Sequence, residues 1–127
     1  MTILTEGSRK ADFIVSESND WRSRDVGLVT VPANTTFESG TVLGQVTIGS
    51  KFVRHDTDGL DDGRRTVAAL LFEPLVNTTA APVDFKVALV VRDAEVAASE
   101  MTYEEGADAS AIAASNAALA SLGLIVR

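Results

Sequence analysis

Val83-Asp84-Phe85-Lys86-Val87-Ala88-Leu89-Val90-Val91 is the stretch on which the fold turns. Val83, Phe85, Val87, Leu89 and Val91 fall on one side of an extended chain, and Asp84 and Lys86 on the other. A period of two means a β-strand with one face buried and one partly wet. Its β-branched and aromatic residues suit a pleated, half-buried surface.

Working outward toward the N-terminus, Thr66 to Phe72 is a second apolar run, bounded by Pro74, and Asn77 to Pro82 is a connecting loop. Thr41 to Ile48 alternates, with Val42, Val46 and Ile48 on one face and Thr41, Leu43, Gln45 and Thr47 on the other. Gly49-Ser50 separates it from Lys51-Phe52-Val53-Arg54. A two-residue Gly-Ser loop predicts a type II′ hairpin, because glycine reaches the positive φ of its first position. Val26 to Val31 is a further strand, ended by Pro32, and Asn34 to Gly40 is a turn region anchored by Phe37. Phe13-Ile14-Val15 is a short strand. Residues 1–12 are a flexible arm with Ile3 and Leu4 as apolar anchors, and residues 13–127 are the folded domain.

Toward the C-terminus the pattern changes. Residues 107–122 contain eight alanines in sixteen positions and predict the single helix, since alanine has the highest helix propensity. Asp108 is the N-cap, Gly123 the left-handed residue after the end, and Ile112, Leu119 and Leu122 the apolar stripe. Leu124-Ile125-Val126 is a terminal strand. Strands first and one helix last predict a mainly β single domain with one C-terminal α-helix.

Composition narrows the function. The 127 residues carry a net charge of −7 and no cysteine. The absence of thiols removes disulfides, thiolate zinc sites and a thiol nucleophile. An acidic balance opposes nucleic-acid binding, which needs clustered Lys and Arg. No apolar run reaches membrane-spanning length, and the polar first ten residues lack a secretory signal's apolar segment. Synthesis and assembly in the cytoplasm are the expectation.

No reacting constellation emerges. Asp56-Thr57-Asp58-Gly59-Leu60-Asp61-Asp62-Gly63 offers oxygen ligands, but Leu60 stands where an EF-hand needs its third ligand and the closing glutamate is missing. It reads as a polar surface loop. His55 is the only histidine and lacks a nucleophile elbow, so it reads as a loop residue without a catalytic role. Glu100, Glu104 and Glu105 precede the helix, where its dipole favours negative charge. Asn34-Thr35-Thr36 and Asn77-Thr78-Thr79 are chance glycosylation matches in turns. Trp21 beside Arg22 and Arg24 is a candidate interface, since Trp and Arg are enriched at binding hot spots; burial of Trp21 in the monomer core is the alternative. No metal site, cofactor site or catalytic residue is assigned.

Four phrases remain: Arg22-Ser23-Arg24-Asp25, Gly40-Thr41-Val42-Leu43-Gly44-Gln45-Val46, Val90-Val91-Arg92-Asp93-Ala94-Glu95-Val96, and Leu119-Ala120-Ser121-Leu122-Gly123-Leu124-Ile125-Val126-Arg127. In that order, from about Phe13 onward, the chain resembles the head decoration proteins of lambda-like bacteriophages. The resemblance implies a β-clip-like fold and a homotrimer. It implies docking on the outside of the expanded capsid at local three-fold positions, with the major capsid protein as partner. It also gives the arm, through Ile3, Leu4 and Thr5, a capsid contact, and it implies a shell that resists the pressure of packaged DNA. Membrane and nucleic-acid partners are not implied. The competing reading is a small β-barrel ligand-binding or lipoyl-like carrier domain, from the Gly40–Val46 strand. Lys51 lacks the hairpin-tip setting that a carrier lysine needs.

Overall fold

The computed structural model describes residues 9–18 and 22–127. The chain runs β1 (Ile14–Glu17), β2 (Arg24–Val31), β3 (Thr35–Phe37), β4 (Val42–Gln45), β5 (Phe52–Arg54), β6 (Val67–Leu71), β7 (Leu75–Asn77), β8 (Val83–Val90) and β9 (Ala94–Val96). A short 3-10 turn at Ala98–Glu100, helix α1 (Ala109–Ser121) and β10 (Leu124–Val126) follow. The fold is mainly β with one C-terminal helix, as the periodicities predict.

Strands β2, β5, β4, β6 and β8 close into a barrel. Strand β8 is its longest seam, paired antiparallel with all of β2 from Arg24↔Val90 to Val31↔Val83. On its other side β2 meets β5 only at Val29↔Phe52. A second sheet, β1-β9-β10, lies beside the barrel, and the β3–β7 pair forms a third, two-stranded sheet.

Two apolar cores result. One fills the barrel, with Val29, Val31, Leu43, Ala69, Leu71, Val87 and Leu89, joined by Phe37 and Leu75 from the β3–β7 pair. The other joins Val42, Leu70 and Val90 to Phe13, Val96, Leu119 and Leu124. Strands β4, β6 and β8 therefore carry adjacent apolar residues that face opposite cores: Val42-Leu43, Leu70-Leu71 and Leu89-Val90. This is why strict alternation fails there. Strands buried on both faces read as apolar runs.

Three local expectations are corrected. The β4–β5 hairpin exists, but Val46 N donates to Lys51 O at 2.8 Å, so the connection is Thr47 to Ser50. Gly49 and Ser50 both have positive φ, +90° and +55°, whereas a type II′ turn has it only at the first position. Ile48 is therefore outside the strand and 90% exposed. Leu43, placed with the polar face by alternation, is fully buried. The turn region Asn34–Gly40 and the loop from Asn77 each contribute a short strand, because pairing Phe37 with Leu75 brings both into the barrel core.

The helix begins at Ala109 rather than at 107. Asp108 caps it as predicted, accepting from Ala111 N at 2.8 Å, and Gly123 ends it at φ +87°. Only Ser115 and Leu119 are buried, with Ile112 and Leu122 half-buried. Leu124–Val126 then docks parallel to β9. No helix among the described residues is long and apolar enough to cross a membrane.

Asn77, read from sequence as a turn residue, is a buried clamp. Its Nδ2 donates to Val31 O (3.0 Å), Pro32 O (3.0 Å) and Ala81 O (2.9 Å). Its Oδ1 accepts from Thr79 N and Oγ1 at 2.9 and 2.7 Å. Removing it strands buried carbonyls. Asn77→Ala should lower stability by about 3 kcal/mol, read as a reduced urea midpoint with unchanged slope; a loss below about 1 kcal/mol would contradict this role.

Candidate functional site

Residues 9–11, within the stretch read from sequence as an arm, are bonded to the body. Arg9 N donates to Asp12 Oδ2 at 2.6 Å. Ala11 N reaches Phe72 O (3.2 Å) and Ser39 Oγ (3.0 Å), and Ala11 has a φ of +66°. Lys10 Nζ lies 5.0 Å from the centre of the Phe72 ring and 3.8 Å from Glu73. Phe13 then enters the core with no exposed surface. The arm residues Ile3, Leu4 and Thr5, and Trp21, lie outside the described residues.

Arg22 and Arg24 are described, and they differ. The Arg22 side chain is 73% exposed and its Nε is 2.9 Å from Asp93 Oδ2. Arg24 turns inward. Its guanidinium stands 4.0 Å above the Phe72 ring and pairs with Glu17 through two nitrogens. Ser23, fully buried, donates to the same carboxylate at 2.5 Å. These bonds, Arg24's first, hold the Glu17 carboxyl below the usual carboxylate range.

Arg92 completes the corner. It donates to Arg22 O at 2.6 Å and to Asp25 Oδ2 at 2.8 Å, while Val91 N donates to Ser23 O at 2.8 Å. The pairs Arg22–Asp93 and Arg92–Asp25 thus cross between the two segments. The C-terminal phrase arrives at the same place: Ala94 N donates to Gly123 O (3.2 Å), and Arg127 pairs with Glu95 (2.9 Å). A Cβ on Gly123 would sit 3.2 Å from Asp93 N at a positive φ, so glycine fits both demands. Three of the four phrases converge on one corner of the molecule. The fourth, Gly40–Val46, supplies one strand of the wall between the cores.

The remaining candidates are occupied within the fold. Lys51 pairs with Asp84 at 2.6 Å, below the hairpin tip rather than on it. Asp62 is held at about 2 by Arg64. Among the described residues no group of three or more His, Asp or Glu is arranged to hold a metal. Glu104 accepts from Thr57 N at 2.6 Å and Oγ1 at 2.5 Å, tying the Asp-rich loop to the helix approach. His55, read from sequence as an ordinary loop residue, is only 5% exposed. Its Nε2 lies 3.1 Å from Arg65 O, and its Nδ1 is buried without a partner. A lone histidine in a polar stretch carries no sequence signal of that burial.

The described residues form a barrel with an ion-paired corner at which three of the four phrases meet. The chain matches the family model for bacteriophage lambda head decoration protein D over residues 3–124. It belongs to that family, a structural family whose members associate with the phage capsid on the virion. The match begins at residue 3, ahead of the first phrase, and stops before Ile125. No curated protein sequence matches the chain.

The corner should respond to acid. Glu17 has a depressed folded pKa, so its stabilisation is full above the unfolded carboxylate range and is lost as pH falls through the folded value. Wild-type stability should decline as pH falls below the usual carboxylate range, and Glu17→Gln should flatten part of that decline. Arg24→Ala should cost about 2 kcal/mol at neutral pH, measured by chemical denaturation; an unchanged midpoint would show the corner to be incidental.

Proposed function

We propose that the protein binds the outside of the expanded phage head as homotrimers at local three-fold positions. There it stabilises the shell against the outward pressure of packaged DNA. The observation that carries this reading is the family match, which spans both body and arm. The contact uses Ile3, Leu4 and Thr5 of the arm together with Trp21 and Arg22. Arg24 serves from behind, fixing the start of β2 next to Arg22.

The physics suits a fastener. An extended arm adds main-chain hydrogen bonds to a partner's sheet edge, and apolar anchors set its register. Ordering each residue costs about 1–2 kcal/mol, so apolar anchors and partner hydrogen bonds are needed to offset it. A rigid body lowers the remaining ordering cost. In a symmetric shell each favourable contact is repeated at every equivalent site.

Sedimentation of purified protein with undecorated shells tests the reading. Binding to expanded but not unexpanded shells is expected; indifference to expansion would refute the three-fold placement. Deleting Met1 to Ala11 should leave self-association intact and weaken shell binding. Full shell occupancy by the truncated protein would remove the arm from the contact.

A further inference from the structure

Two peptide bonds in the loop after β5 join an aspartate to a glycine, Asp58-Gly59 and Asp62-Gly63, and no asparagine in the chain precedes a glycine. An aspartate followed by glycine is open to a rearrangement of the main chain. The glycine nitrogen attacks the aspartate Cγ, the new C–N bond closes a succinimide ring, and the carboxyl oxygen leaves as water. Water then adds to one of the two ring carbonyls. Opening at the α-carbonyl leaves the chain running through the side-chain carbon, as isoaspartate; opening at Cγ restores aspartate. A water leaves and a water enters, so the mass is unchanged. Glycine favours the closure because it has no Cβ to obstruct it and its backbone turns freely.

The fold treats the two pairs differently. Asp62 is tied. Arg64 Nε donates to its Oδ1 and Oδ2 at 3.0 and 3.3 Å, Arg64 Nη2 to Oδ2 at 2.8 Å, and the Arg64 backbone N to Oδ1 at 3.3 Å. The peptide itself is pinned as well. Thr47 N donates to Asp62 O at 2.8 Å, Thr66 N donates to Gly63 O at 3.2 Å, and a Cβ on Gly63 would lie 2.2 Å from Gln45 O. To react, Asp62 has to give up a charge-assisted arginine pair, and its peptide has to rotate inside a packed turn. Asp58 is exposed, and none of the described residues bonds its carboxylate. Its attacking neighbour, Gly59 N, is held only by a long bond to Asp56 O at 3.3 Å. Two further bonds frame the pair: Asp58 N donates to Asp56 Oδ1 at 3.1 Å, and Arg65 Nε to Gly59 O at 2.9 Å. Neither occupies the carboxyl that reacts.

We infer that Asp58 is a site of spontaneous isoaspartate formation in the folded protein, while Asp62, in the same loop and also followed by glycine, is protected by Arg64 and by the packing around Gly63. The product lengthens the main chain by a methylene between two ties, Thr57 to Glu104 and Gly59 to Arg65. The reaction needs only water, so the inference stands apart from the proposed function.

Prolonged incubation of the full-length protein in oxygen-18 water near neutral pH, followed by peptide mapping with electron-transfer fragmentation, tests this. Each ring opening places a heavy oxygen on the aspartate that reacted, and the fragments distinguish the two positions and the two isomers. Label and isoaspartate should accumulate at Asp58 at least about tenfold faster than at Asp62, the factor that releasing a charge-assisted hydrogen bond supplies. In the urea-unfolded chain the two sites should react at similar rates, which needs no variant. Arg64→Gln, confirmed as folded by circular dichroism, should raise the rate at Asp62. Equal labelling of both sites in the folded protein, faster labelling at Asp62, no isoaspartate at Asp58, or the same contrast persisting in urea would each overturn the inference. An unmoved Asp62 rate in folded Arg64→Gln protein would overturn the protection by Arg64.

Discussion

The wall formed by β4, β6 and β8 is the constraint on which the structure depends. Each of these strands sends one residue of an adjacent apolar pair into the barrel and its neighbour into the outer core. Val42-Leu43, Leu70-Leu71 and Leu89-Val90 are all fully buried. Burying one such side chain contributes about 1.5–3 kcal/mol, and here six of them are buried along a shared layer. The outer core exists only because this wall offers an apolar back. Phe13, Val96, Leu119 and Leu124 then hold the small sheet and the helix against it.

That docking creates the ion-paired corner. Strands β1, β9 and β10 are brought beside the start of β2, so that Arg22, Asp25, Arg92 and Asp93 can pair crosswise. Exposed pairs of this kind contribute little singly. The Glu17–Arg24 pair differs, since its side chains are about one-fifth exposed and the guanidinium also stacks on Phe72. Lys10 contacts the same ring from the arm side. The root of the arm and the start of β2 are thereby coupled through one aromatic side chain.

The surface follows from the same economy of groups. Seven ion pairs within the described residues engage most of the basic side chains. With a net charge of −7, carboxylates are left in excess. Those of the Asp-rich loop and the approach to α1 gather on one side.

Local chemistry by itself determined much of the fold. Period-two alternation placed β8, the alanine run placed α1, and Asp108 and Gly123 marked its ends, because these signals act over a few residues. The four phrases identified the family for the same reason: each is a contiguous run. Tertiary structure alone decided the rest. Period two cannot tell Leu43 from Ile48 when both faces of one strand are buried and the other residue lies in a turn. Asn77 gains its role from Val31, Pro32 and Ala81, and Arg24 from Glu17 and Phe72, partners that proximity in sequence does not reveal. His55 bonds through Nε2 to the Arg65 carbonyl, a partner ten residues on. Burial and pairing are properties of what arrives from far along the chain, and only the folded arrangement specifies the arrivals.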